Sequence, residues 1–260
     1  DPDRGHLNPA ALVGVEAVVH LAGAGIADRR WTRSQMNRIL ESRTRGTQLL
    51  ARSLADARPL GGPEVLVSGS AIGFYGDRGE EALTEASPRG TGFLADVCVA
   101  WEDATREADR AGLRVAHART GVVLARSDGL LARLLPLFRV GLGGRIGSGR
   151  QFMSWISLTD EVAALAWMID NDVAGPVNLV APGAVTNTEF SRTLGKVLRR
   201  PARLPVPPLG PALLYGRHLV RELMLASTLV LPGVLGGGNF QFAHPSLNEA
   251  LVKTIRGSAA

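Results

Sequence analysis

Four short apolar runs, Val15 to Leu21, Glu64 to Ser68, Arg114 to Val123 and Pro176 to Val180, are separated by stretches whose apolar residues recur at helical spacing. Strands that alternate with helices bury both faces as a largely parallel sheet covered by helices, so the pattern specifies a doubly wound α/β fold. Met36, Ile39, Leu40, Leu49, Leu50 and Leu54 predict one bent helix or two over Trp31 to Ala57, broken near Gly46. Val97, Trp101, Ala104 and Ala108 share a face of a helix over Ala95 to Ala111, and another helix runs from Asp160 to Asn171 behind Thr159 or Asp160 as cap. Thr186-x-x-Glu189 and Ser246-x-x-Glu249 read as capping boxes for helices reaching Leu198 and the neighbourhood of Ile255. The Pro-rich passage RRPARLPVPPLGP lies between them. A boundary is expected near Ala181 to Thr186, with a sheet domain over residues 1–183 and a smaller α+β lobe over 184–260.

Composition narrows the partners. At 260 residues and 45% hydrophobic the chain can bury a full core. Its 29 Lys and Arg against 24 Asp and Glu leave +5, almost all of the cations being arginines spread along the chain and not clustered with aromatics. That distribution suits small anionic ligands, and no nucleic acid is expected. The lone Cys98 excludes an internal disulfide and reads as a helix-packing residue. No apolar stretch of membrane length and no signal peptide are visible, so no membrane is expected and the cytoplasm is the expected location. The start at Asp1 without methionine is consistent with a truncated or processed chain.

In an open parallel sheet, ligands gather at the carboxyl ends of the strands. The turns to inspect are therefore HLAGAG, SGSAIGFYG, ARTGVVL and NLVAP. A first strand in such a fold ends in a glycine-rich phosphate turn, but no strand precedes GVEAVVHLAGAG, and Gly23-Ala24-Gly25 runs into Asp28 instead of a third glycine. This turn is not read as the phosphate loop. No spacing of His, Cys, Asp or Glu suggests a metal site, and Ser70 has no His and acid partner for a hydrolase triad. His20 ends a buried strand as an expected hydrogen-bonded core residue, while His244 in FAHP reads as a local turn contact.

His20-Leu21-Ala22-Gly23, followed by Ser68-Gly69-Ser70-Ala71 and Gly73-Phe74-Tyr75-Gly76, resembles the strand ends of the extended short-chain dehydrogenase/reductase superfamily. DRRWT, ESRTRGTQLL, GFYGDRGEEALTE, GFLADVCVAWE, ARTGVVL, GSGRQFMSWI, NLVAPGAVTNTEF and GNFQFAHPSLNEAL are similar to an atypical branch of it, the epimerase-family proteins with their own C-terminal domain. The resemblance covers essentially the whole chain. It implies a Rossmann-like sheet lacking its first βαβ unit, so that AVVHLA becomes an exposed apolar edge; poor solubility alone, or an oligomer that covers the edge, is the expectation.

The same resemblance implies NADP(H), with NAD(H) as the alternative, along Leu21, Ala22, Gly23, Ser68, Gly69, Arg119, Thr120 and Gly121. It also implies a hydroxyl that polarises a substrate carbonyl and a Tyr-x-x-x-Lys pair. Phe93 and Val97 stand where that pair is expected, and a phenyl ring can be neither acid nor base, so the usual relay fails. Ser70 remains as hydroxyl donor, although alignment on Tyr75 puts Ala71 in that place; Tyr75 is a fallback acid or a packed turn aromatic. Arg43, where extended members often carry asparagine, suits a substrate carboxylate or phosphate. Arg30, Trp31, Arg150, Gln151 and Trp155 complete the candidate set around a small-molecule substrate, and GLGGRIGSGRQ, with five glycines, reads as a mobile substrate loop or a plain connector. Two functions follow: a reductase, epimerase or dehydratase on a small polar or anionic substrate, or a nucleotide-sensing or interaction protein without turnover, related to cell-division regulators.

Overall fold

The computed structural model describes residues 5, 7–202 and 204–257. Strand β1 (Ala17–His20), helix α1 (Arg33–Ala57) and strand β2 (Val65–Ala71) open the chain. A short strand β3 (Ala82–Leu83) and helices α2 (Phe93–Asp103) and α3 (Arg106–Arg110) lead to β4 (Arg114–Thr120). Next come β5 (Val122–Leu124), α4 (Gly129–Arg139), β6 (Phe152–Met153), β7 (Trp155–Ser157), α5 (Leu158–Asp170) and β8 (Gly175–Leu179). The rest comprises β9 (Val185–Thr186), α6 (Asn187–Leu198), α7 (Leu209–Tyr215), α8 (Arg217–Leu219), a π-helical turn over Val220–Met224, β10 (Leu229–Val230), α9 (Gly233–Gly237) and α10 (Leu247–Arg256).

β1, β2, β4 and β8 pair in parallel in that spatial order, with β1 at one edge. Successive side chains of a strand point to opposite faces. Leu66 and Val115 accordingly pack on Ala51 and Leu54 of α1, while Val67, Ala116, Ala118 and Val177 pack on Ala164, Leu165 and Met168 of α5. The sheet is therefore apolar on both sides, as the continuous runs in the sequence require. No helix among the described residues is long and apolar enough to cross a membrane.

Several local expectations change. α1 is one helix that runs through Gly46, where an added Cβ would meet open space; once nucleated, a helix carries a single glycine at a cost of roughly 1 kcal/mol. The run Arg114 to Val123 divides at Gly121, whose N–H donates to Leu179 O while Val122 N–H donates to Ser154 O, so the chain leaves the main sheet to pair with β7. A Cβ at Gly121 would lie 2.8 Å from Ser154 O and from Val180 Cγ1. Only glycine fits that crossing. The helix expected over Ala95 to Ala111 divides into α2 and α3 where the Thr105 hydroxyl donates back to Glu102 O. The cap of α5 is Ser157, one turn earlier than Asp160, and its Oγ accepts from Asp160 N–H.

The residues after Ala184 are stitched to the sheet half. β9 pairs antiparallel with β6 and β10 parallel with β3. Buried Asp160 accepts from the N–H groups of Ala243 and His244, and His244 Nδ1 meets Ser157 Oγ at 3.1 Å, so this histidine makes a tertiary contact and not a local turn contact. At Thr186 the capping box is complete: Oγ1 accepts from Glu189 N–H and Glu189 Oε2 accepts from Thr186 N–H. Thr186→Ala is expected to cost about 1 kcal/mol in urea denaturation, and an unchanged midpoint would refute the cap's contribution.

Candidate functional site

The carboxyl ends of β1, β2 and β4 lie side by side because the strands run in register, His20 opposite Ser68 and Ser68 opposite His117. Beyond β1, Leu21, Ala22 and Gly23 form an exposed ledge. Arg43 of α1 lies beneath it with only 8% of its surface exposed. Its Nη1 donates to Ala24 O at 2.9 Å and Ile39 O at 3.2 Å, and its guanidinium covers the Trp101 ring at 4.9 Å. A Cβ on Gly23 would approach that guanidinium to 3.1 Å, so glycine lets backbone and cation lie together. Among the described residues no carboxylate pairs with Arg43, and its remaining N–H groups are neither bonded nor sealed from solvent. Burial pushes its pKa down. A desolvated cation with a free donor edge can take up an anion.

A polar chain fills the space under β2 and β4. Ser70 Oγ donates to Glu102 Oε1 at 2.6 Å, Arg119 Nε and Nη2 clamp the same carboxylate at 2.9 and 3.0 Å, and Arg119 Nη1 donates to Tyr75 Oη at 3.0 Å. Tyr75 in turn donates to Asn178 Oδ1 at 2.7 Å. Phe74 lies under the guanidinium, 3.5 Å from centroid to Cζ. Burial pushes Glu102 up, but the Arg119 hydrogen bonds and charge outweigh it and hold the carboxyl below its ordinary value. Tyr75 is fully buried, and that burial raises its phenol pKa against the pull of Arg119. Cys98, pushed up to about 11 by burial and then by Glu102, is an inert thiol beside this chain.

Phe93 opens α2 after Gly92, and the helix end is capped from the C-terminal part of the chain: Glu222 accepts from Phe93 N–H at 3.2 Å and Leu94 N–H at 2.9 Å. A carboxylate satisfies orphan donors there and complements the helix dipole. Trp31 stands edge-on to Phe93 at 5.2 Å and donates to Ile26 O. Exposed Arg30 reaches Leu213 O, while buried Gln151 braces its loop through Ile146 O and Met224 O. Trp155 is wholly buried, its indole N–H on Gly183 O, and Arg150 projects from the surface. Gly69 and Gly121 are spoken for by packing, since a Cβ on Gly69 would strike the Trp101 ring at 2.8 Å, and Ser68 is sealed inside β2. The structure thus gathers Leu21, Ala22, Gly23 and Arg43 at one ledge, joins Ser70, Tyr75 and Arg119 below it, and leaves Trp155 in the core.

Four participants escaped the sequence reading: Glu102, Asn178, Glu222 and Glu161. Thr120 Oγ1 donates to Glu161 Oε1 at 2.8 Å, and Glu161 Oε2 is the one buried side-chain oxygen or nitrogen without a partner among the described residues. Helical spacing holds a signal for two of them. Glu161 shares its face with Ala164, Leu165 and Met168, and Glu102 follows Leu94 and Cys98 at intervals of four; an acid on an apolar stripe marks a buried carboxyl.

Comparison with known proteins agrees with this architecture. The model of the NAD dependent epimerase/dehydratase family matches residues 4–181. Epimerase family protein Mb2239 of Mycobacterium bovis is 44% identical over 252 residues, 96% of this chain and 82% of its own length. The crystal structure of human epimerase family protein SDR39U1 with NADPH superposes with a TM-score of 0.87 at 32% identity, covering 95% of this chain and 86% of that one. DesIV, a dTDP-glucose 4,6-dehydratase from Streptomyces venezuelae with NAD and TYD bound, shares the fold at 21% identity and a TM-score of 0.74, over 98% of this chain and 76% of that one.

Proposed function

We propose, because this chain belongs to the NAD dependent epimerase/dehydratase family, that it binds NADP(H), with NAD(H) as the weaker alternative, across the carboxyl ends of β1, β2 and β4. The observation that carries this reading is Arg43, a buried guanidinium whose free donor edge lies under the open Leu21 to Gly23 ledge and has no carboxylate partner among the described residues. Small residues at the ledge let a flat or phosphorylated group come close to the backbone. When bound, the nicotinamide supplies hydride exchange. In this chain Arg43 holds an anionic group of the cofactor or of a small polar or anionic substrate, and Trp101 backs its guanidinium.

As an enzyme the protein is a reductase, epimerase or dehydratase without the Tyr-x-x-x-Lys relay. Turnover then requires Ser70 to turn its hydroxyl from Glu102 toward the substrate carbonyl. A second reading, cofactor binding without turnover, is favoured by that same engagement of Ser70 and by the enclosure of Tyr75 between Arg119 and Asn178. Fluorescence titration with NADPH and NADH tests the binding, and loss of NADPH absorbance with a panel of carbonyl compounds separates the two readings. Saturable NADPH binding that weakens about tenfold to a hundredfold in Arg43→Ala is expected, the loss of a charge-assisted hydrogen bond. Binding indifferent to Arg43→Ala would remove the assignment.

A further inference from the structure

Four cations stand close together in the sequence, Arg192, Lys196, Arg199 and Arg200, and folding adds Arg145 to them. Arg145, Arg192, Lys196, Arg199 and Arg200 converge on one groove of about 610 Å³ along the outer face of α6, between that helix and the turn at Pro201. Nine arginines elsewhere, from Arg45 to Arg133, stand within 4 Å of a carboxylate. Among the described residues none of the five in the groove does. Their number equals the whole formal excess of the chain, +5.

Helix-dipole compensation accounts for part of this. Lys196, Arg199 and Arg200 lie at the carboxyl end of α6, where cations are favoured. It does not account for Arg145, which arrives from the glycine loop and is held in place by donating to Gly147 O and Ser148 O, whereas Arg192, in the middle of the helix, has the Glu189 carboxylate one turn before it. Arg200 is likewise fixed, its Nε donating to Arg139 O. Two guanidiniums pinned by backbone carbonyls, each with donors to spare, form a pre-organised receptor.

We infer that this groove is a second binding site, one for the phosphates of a small phosphate-rich ligand of the nucleoside di- or triphosphate class. Its volume falls in the range of small-molecule sites, roughly 300–1,000 Å³. The lining stretch of α6 from Thr188 to Arg199 runs about 16 Å at roughly 1.5 Å per residue, the length of an extended nucleotide, with its cations over about the last 10 Å, from Arg192 to Arg199. Among the described residues no aromatic side chain lines it, so they offer no stacking platform of the kind that single-stranded nucleic acid uses. It shares no residue with the Leu21 to Gly23 ledge or with Arg43.

Isothermal titration of the whole chain with ATP and with inorganic pyrophosphate tests the assignment. Saturable binding of both is expected, weakened by added salt. The charge reversal Arg192→Glu with Lys196→Glu, on two exposed side chains, should reduce ATP affinity at least about thirtyfold, as two charge-assisted contacts are lost, while Arg43→Ala leaves ATP binding in place. Three results would each overturn the proposal: no saturable heat with either probe, ATP affinity unmoved by the reversal, or a single-stranded RNA that binds the groove and is not displaced by ATP. A circular-dichroism melt of the double variant matching that of the parent separates lost binding from lost folding.

Discussion

Replacing Glu102 with alanine is expected to lower the stability of the folded protein by about 3–5 kcal/mol, the cost of stranding a buried charge. Arg119 is 4% exposed and would keep its cation over Phe74 with the bidentate carboxylate gone. Ser70 would lose its acceptor in the same substitution. Arg119→Met should cost a similar amount, since Glu102 is then left behind and Tyr75 loses a donor. Together the two changes should cost clearly less than their sum. A whole buried pair exchanged for apolar groups of similar volume forfeits its desolvation penalty along with its attraction. Urea denaturation of the three variants measures this coupling. Additive effects below about 1 kcal/mol each would mean that the chain from Ser70 to Asn178 braces nothing.

One side chain, Glu161, should by itself lower stability as pH rises from about 4.5 to about 7, while buried His20 and His117, whose pKa values are lowered, act in the opposite sense. Burial pushes Glu161 up to about 7 from an ordinary 4.5, with the Thr120 hydrogen bond only partly opposing it. The folded state therefore keeps this proton over a range in which the unfolded chain has released it. Stability contributed by the neutral carboxyl is fully present below the unfolded value and is lost across that window. The total loss is about 3 kcal/mol at 1.36 kcal/mol per pKa unit. Glu161→Gln keeps the shape and cannot ionise, so thermal melts should match the parent near pH 5 and exceed it near pH 8. An equal pH dependence in the variant and the parent would show that Glu161 is already charged in the folded state, its unpartnered Oε2 satisfied by solvent.

The alternating apolar runs were sufficient to specify the parallel sheet, because a strand buried on both faces has no polar side to mark and must be covered by helices. Cap signals were equally local: Thr186 and Glu189 find each other across one turn wherever the helix lies. The strand-end turns could likewise be named from sequence, since small residues after a β-rich run are a property of the segment itself. Resemblance carried the cofactor class, through motifs such as HLAG and SGSAIGFYG. What stayed illegible was every relation between segments distant in sequence. Ser70 read as a hydroxyl donor and Tyr75 as a fallback acid or a packed turn aromatic, and neither reading could supply the partners Glu102, Arg119 and Asn178, which arrive from three other elements and bind their hydroxyls. Glu222 reaches Phe93 across 129 residues. Four of the groove's five cations, Arg192, Lys196, Arg199 and Arg200, already stand within nine residues of sequence, and only Arg145 joins them through folding, when the chain turns back between β6 and β9. Local pattern determines which elements form, since helix and strand are decided within a few residues. Charge pairing, burial of a carboxyl and the meeting of like cations depend on distances that only packing sets, and there the tertiary structure alone decides what a side chain can do.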